Sequence, residues 1–360
     1  MKVGYSWLRQ YVDIDVTAED LARDLTMSGS EVESLESVGD EKVLTMEITS
    51  NRPDCLNVLG IAREAAAIYD RDIDLPGMEA PEVRESGPQI RCVVRDKHGC
   101  PMYTARVLTD VSVGPAGSDI RKPIEALGMR SVNNIVDVTN FCLMETGQPM
   151  HAFDLDRIAG GVIIVREAEK GEKITTIDDV ERELEKGMLV IADEEKPVAI
   201  AGIMGGKDTE VTERTRNIVL ESAYFDPLLI RRTARKLGLS TDSSYRFERG
   251  VDKQMILPAS NRAVSLLNRE ARAVTGRLYE EGELPGDRTR VDLDVERAGR
   301  ILGIKLDKDR VETILTRLGL TVVEKGGTVL KVQIPSFRED LERPVDLTEE
   351  VARIWGYHNI

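Results

Sequence analysis

Three histidines and four cysteines are few for a chain of 360 residues, and aromatic side chains make up only 4% of it. Cys55, Cys92, Cys100 and Cys142 show no C-x-x-C spacing, and His98, His151 and His358 do not accompany them as zinc ligands would. Reduced, packed thiols are expected. No apolar run approaches the roughly 20 residues needed to cross a bilayer, and Met1-Lys2-Val3-Gly4 leads into an amphipathic segment instead of a signal-peptide core. The expected compartment is the cytoplasm, with no membrane partner. Positive charge is also short, since the formal net charge is -15. That balance excludes a protein that coats nucleic acid nonspecifically, because neutralising phosphates takes concentrated Lys and Arg.

What the chain does have is ample apolar material, 41% hydrophobic against 31% charged residues, enough for roughly two to three domains with real cores. One local stretch is basic: Arg231, Arg232, Arg235, Lys236, Arg246 and Arg249 face only Asp242 and Glu248. A solvated helix face and a local RNA contact both fit it.

Helical spacing at Trp7 to Val12, a cap at Thr17 before Leu21 and Leu25, a strand at Val43 to Ile48 and a helix from Pro53 to about Tyr69 predict a small mixed domain over residues 1–85. Pro76-Gly77 and the stretch Pro81 to Pro88 read as a linker. Residues 86–285 are strand-rich, with helices at Ile120 to Leu127, Val136 to Glu145, Pro227 to Lys236 and Gln254 to Glu270. Without a regular beta-alpha-beta repeat, this favours an α+β domain over a doubly wound sheet. Past Pro285-Gly286-Asp287, two helices and a hairpin over 286–360 predict a compact winged-helix-like module.

Several residues invite chemistry. His151 sits in Gln148-Pro149-Met150-His151-Ala152-Phe153-Asp154, after a helix bearing Thr139 and Asn140, and fits a satisfied structural histidine as well as a catalytic one. The run Ala199 to Gly206 ends a strand in a glycine turn without the signature of a P-loop. It is either a plain tight turn or a place where a ligand approaches Ala201 and Gly202 closely. Glu221 alternates with Val219, Ala223 and Phe225 on a strand whose other face is also apolar. A buried carboxylate there needs a partner or a ligand, whereas a sheet-edge position would leave it solvated. Asp346, Glu349 and Glu350 fall at i, i+3 and i+4 of a helix, with Asp340 upstream. Three carboxylates on one face suit magnesium, or simply an acidic first helical turn.

In order along the chain, Ser6-Trp7-Leu8, Thr49-Ser50-Asn51-Arg52-Pro53-Asp54-Cys55-Leu56, Asn134 to Asn140, Gln148 to Asp154, Gly202 to Gly206, Tyr245 to Asp252 and Glu349 to Tyr357 resemble the beta subunit of bacterial phenylalanyl-tRNA synthetase. The resemblance implies that the middle domain is the family's editing module, hydrolysing mischarged Tyr-tRNA(Phe). Its pocket would be formed by Thr139, Asn140, His151, Ala201, Gly202, Glu221 and Ala223. It also implies a magnesium site at Asp340, Asp346, Glu349 and Glu350 shared with an alpha subunit that uses ATP, and partners that are tRNA(Phe) and that alpha subunit in a heterotetramer. Two departures stand out. Glu36 to Glu41 joins directly where bacterial members carry a tRNA-binding OB-fold, and the sequence stops before the catalytic-like and anticodon-binding domains. An expressed fragment or a shortened trans-editing paralogue is expected. The competing readings are a noncatalytic assembly or RNA-binding module and a winged-helix regulator, the latter disfavoured by the acids Asp307, Asp309 and Glu312 around its recognition helix.

Overall fold

The computed structural model describes residues 1–84, 87–284 and 289–360. The chain divides into two compact units, Met1–Pro76 together with Gly286–Ile360, and Gly77–Pro285. The first and third segments expected from the sequence therefore share one unit. The boundaries expected at 85/86 and 285/286 lie outside the described residues, as does Pro285-Gly286-Asp287. Among the described residues helices and five sheets intermix, so the architecture is α+β.

In the first unit, Glu41–Met46 is the middle strand of an antiparallel sheet, with Lys2–Gly4 on one side and Val32–Val38 on the other. The Val32–Val38 strand escapes sequence reading because all seven of its residues are half-buried or exposed, leaving no clean alternation. The helix Val58–Tyr69 is capped by Asn57, whose side chain accepts from the Gly60 amide at 2.7 Å. Ala67 on that helix joins the core of the last segment, beside Val311, Ile314, Leu330 and Val351. There Val329–Gln333 lies between Arg290–Asp294 and Thr321–Gly326, and the helices Val295–Leu302, Lys308–Arg317 and Pro344–Trp355 complete the layer.

The second unit packs two sheets face to face. One has the order Met204–Gly205, Pro197–Ile200, Leu189–Ala192, Val162–Glu167, Arg91–Val94. The other has the order Val274–Gly282, Met102–Thr109, Ile218–Tyr224, Met150–Asp154, antiparallel throughout. Tyr103, Ala105, Val107, Phe153, Val219 and Ala223 meet Ile163, Val165, Leu189 and Ile191 in a shared core. The opposite face of Ile218–Tyr224 is covered by the helix Ile256–Ala271, where Ser222 Oγ donates to the Ile256 carbonyl at 2.9 Å. Every residue of that strand is buried, so Glu221 lies in the interior and not at a sheet edge.

Candidate functional site

The second unit contains a cavity of about 310 Å³. One wall is the helix Asn134–Thr146, which presents Val136, Thr139, Asn140 and Leu143 at i, i+3, i+4 and i+7. Asn133 fixes the start of that helix by accepting from the Ile135 and Val136 amides, each at 3.0 Å. Thr139 Oγ1 donates back to the Val136 carbonyl at 2.8 Å, so its lone pairs remain for an incoming donor. Other walls come from Met150 and His151, from the turn Gly202–Gly205 and from Thr241, Asp242, Ser243 and Phe247.

His151 and Glu221 are direct cross-strand partners, so their side chains share one face of the sheet. Glu221 is 5% exposed and accepts from the Tyr103 hydroxyl at 3.0 Å, its one hydrogen-bond partner among the described residues. Burial pushes its carboxyl up to about 8, opposed only in part by the Tyr103 hydrogen bond. Burial likewise pulls His151 down to about 4. Near pH 7 this pair thus presents a protonated carboxyl and a neutral imidazole. The His151 ring stands edge-on to Phe153 at 4.6 Å, and its buried Nε2 has no hydrogen-bond partner among the described residues. That ring needs Gly205: a Cβ there would fall 2.4 Å from Cε1 and 2.6 Å from Nε2. Gly202 is equally constrained, with φ of +67° and Ile230, Phe225 and Phe247 each 3.0 Å from a Cβ.

Five of the seven pocket residues expected from the sequence, Thr139, Asn140, His151, Gly202 and Glu221, line this cavity. Ala201 and Ala223 do not. Both are buried in the core between the sheets, Ala201 donating its amide to the Leu189 carbonyl and Ala223 accepting from Gln148 Nε2 at 2.9 Å. Sequence reasoning missed Tyr103, 118 positions from its partner Glu221, because only strand register brings the two together. It also missed Thr241 to Ser243, whose signal was present: Thr241 and Ser244 form a capping box.

The four carboxylates expected to hold magnesium do not share an open face. Glu349 is exposed and Glu350 buried, since neighbouring helical positions point about 100° apart. Arg338, 2% exposed, donates to Asp340 at 2.8 and 3.0 Å and to Glu350 at 2.7 Å. Arg353 continues the ladder from Glu350 to Glu64, and Arg52 ends it between Glu64, at 2.6 Å, and Asp54, at 2.9 Å. Asp346 is held by Arg343 at 2.9 Å. Asp54, Cys55 and Glu64 do gather ligand-type atoms within 4.8 Å of one another, but the Arg52 guanidinium stands among them, 3.1 Å from Cys55 Sγ. With arginines already supplying the positive charge, these residues do not fit a preformed divalent-cation site.

Residues 99–272 match the B3/4 domain family and residues 291–357 the tRNA synthetase B5 domain family. The two-sheet unit with its cavity and the helix-rich last segment thus define a region of an aminoacyl-tRNA synthetase subunit. The chain is 45% identical over 326 residues to the phenylalanine--tRNA ligase beta subunit of Geobacter metallireducens, covering 89% of this chain and 40% of that protein. It is 41% identical over 363 residues to that of Rhodopirellula baltica, covering 100% of this chain and 53% of that protein. It belongs to the phenylalanyl-tRNA synthetase beta-subunit family, and spans about half or less of the length of these relatives. An N-terminal fragment of the phenylalanyl-tRNA synthetase beta subunit from Pyrococcus horikoshii shares the fold, with a TM-score of 0.53, 15% identity and 99% of both chains covered.

Proposed function

We propose that the cavity hydrolyses tyrosine mistakenly esterified to tRNA(Phe). The observation that carries this is Glu221: a carboxyl with one oxygen on Tyr103, buried at the wall of the cavity beside His151, whose Nε2 has no hydrogen-bond partner among the described residues. A phenylalanine-sized synthetic pocket rejects an analogue with one added hydroxyl by only about a hundredfold, so a second site that reads the hydroxyl is needed. Tyrosine would place its hydroxyl on Glu221. Phenylalanine would leave that carboxyl without a second partner, at a cost of about 1 to 3 kcal/mol. Water attacks the ester carbonyl carbon, the bond to the ribose oxygen breaks, and free tyrosine and tRNA leave. His151 and nearby backbone groups hold the water, while Thr139 and Asn140 orient the terminal adenosine.

Through this activity the chain supports ATP-dependent phenylalanylation by an alpha subunit in the cytoplasm, with its last segment acting as a winged-helix-like module. Magnesium and ATP would be brought by that alpha subunit, because Asp340, Asp346 and Glu350 are already held by arginines here. The test is deacylation by the purified chain. Tyr-tRNA(Phe) should be hydrolysed at least about tenfold faster than Phe-tRNA(Phe), as one hydrogen bond's difference allows. Equal rates, or binding of an alpha subunit with no hydrolysis at all, would replace editing by a noncatalytic assembly role.

A further inference from the structure

The basic stretch of the sequence divides in the folded chain. Arg246 is buried and donates to Asp242 and to Met144 Sδ. Arg249 stacks on Tyr245, 3.5 Å from the ring centre, and pairs with Glu248 at 2.6 Å. Lys236 pairs with Glu185. Arg231, Arg232 and Arg235 remain, all exposed on the helix Pro227–Leu237, which carries no carboxylate. None of the three side chains has a hydrogen-bond or ion-pair partner among the described residues.

The position of this helix matters as much as its charge. Its inner face buries Ile230, Thr233 and Ala234, and Ile230 Cδ1 lies 3.0 Å from the Cβ position of Gly202, a residue of the cavity wall. The arginines therefore stand on the outer side of the element that backs the cavity, roughly one helix diameter, ~10 Å, away. The chain then leads through Gly238 to Thr241, Asp242 and Ser243 at the cavity itself. Complementing the helix dipole accounts for Arg235 and Lys236 in the last turn, but not for Arg231 and Arg232 before it. In a protein of net charge -15, three exposed arginines on one helix, with no ion-pair partner among the described residues, make a local positive face that an anion would neutralise.

We infer that this helix face receives the phosphate backbone of the RNA whose aminoacylated end enters the cavity. The inference rests on the editing reading for the choice of RNA over an acidic protein segment. Guanidinium forks match phosphate oxygens, and the cavity fixes where the strand must end.

The test uses the full chain and a fluorescent acceptor-stem hairpin that is not aminoacylated, so that binding is read apart from hydrolysis. Replacing Arg231→Gln, Arg232→Gln and Arg235→Gln together should weaken binding at low salt at least about tenfold. It should also flatten the slope of log affinity against log salt by about 2, given 0.7 to 0.9 per phosphate contact. The triple lysine variant should recover most of that slope, and KM for Tyr-tRNA(Phe) should rise in the glutamine variant while kcat holds. Tyrosyl ester of adenosine, which has no RNA backbone, should be hydrolysed equally by both. Unchanged affinity and slope in the glutamine variant overturn the inference, as does failure of the wild-type chain to bind the hairpin or equal competition by polyglutamate. A wild-type chain that binds through these arginines yet leaves Tyr-tRNA(Phe) intact refutes hydrolysis and keeps the RNA surface.

Discussion

Replacing Glu221→Gln separates the carboxyl's charge from its shape. Glutamine still offers Tyr103 an acceptor, so the 3.0 Å hydrogen bond survives. What disappears is the titration. The wild-type carboxyl is raised from the ordinary 4.5 to about 8 by burial, so the native state keeps a proton that the unfolded chain has already released. Glu221 therefore subtracts stability as pH rises past about 4.5, and the loss is complete only above about 8. At about 1.36 kcal/mol per unit, wild type should lose roughly 3 kcal/mol relative to the variant between about pH 6 and about pH 8.5. The assay is urea denaturation followed by circular dichroism at both pH values. Tryptophan fluorescence, recorded alongside, reports the other unit, to which both Trp7 and Trp355 belong. Parallel pH dependence of the two proteins by circular dichroism would refute the buried, protonated carboxyl. Glu221→Ala then tests function: the ratio of Tyr-tRNA(Phe) to Phe-tRNA(Phe) deacylation should fall about tenfold, at a stability cost of about 1 to 3 kcal/mol for the orphaned Tyr103 hydroxyl. An unchanged ratio would remove Glu221 from substrate reading.

Two further predictions concern geometry on each unit. Gly205→Ala places a methyl group 2.4 Å from His151 Cε1, so deacylation should fall at least about tenfold while the circular dichroism spectrum holds, and an unaffected rate would show that His151 does not need its present position. Arg353→Met leaves buried Glu64 with Arg52 alone and Glu350 with Arg338 alone, and should cost up to about 3 kcal/mol by tryptophan-monitored denaturation, less than a fully unpaired buried charge would. Burial pushes the Glu64 carboxyl up, but Arg353 and Arg52 overcome that and hold it below the carboxylate range, so the wild-type unit should lose stability as pH falls below about 4.5, where the unfolded carboxyl takes up its proton. A variant as stable as wild type at neutral pH would mean that the ladder is held by packing alone.

The sequence by itself determined a good deal. The cap at Thr17 is a local signal read directly from the residues, whereas the helix expected from Pro53 begins only at Val58. The alternation around Glu221 left burial and a sheet-edge position both open until the strand was seen inside its sheet. Ordered motif stretches pointed to the family, and they brought Thr139, Asn140, His151, Gly202 and Glu221 forward as pocket residues, all of which line one cavity. Tertiary structure alone decided the rest, because register, burial and ion pairing are relations between distant positions. Tyr103 meets Glu221 only through the antiparallel pairing of their strands, Ala201 and Ala223 are taken up by the core between the sheets, and Asp340 and Glu350 are claimed by Arg338. Spacing along a helix shows which carboxylates are neighbours. It does not show which side faces the interior, and a carboxylate turned inward must take whatever cation the fold supplies.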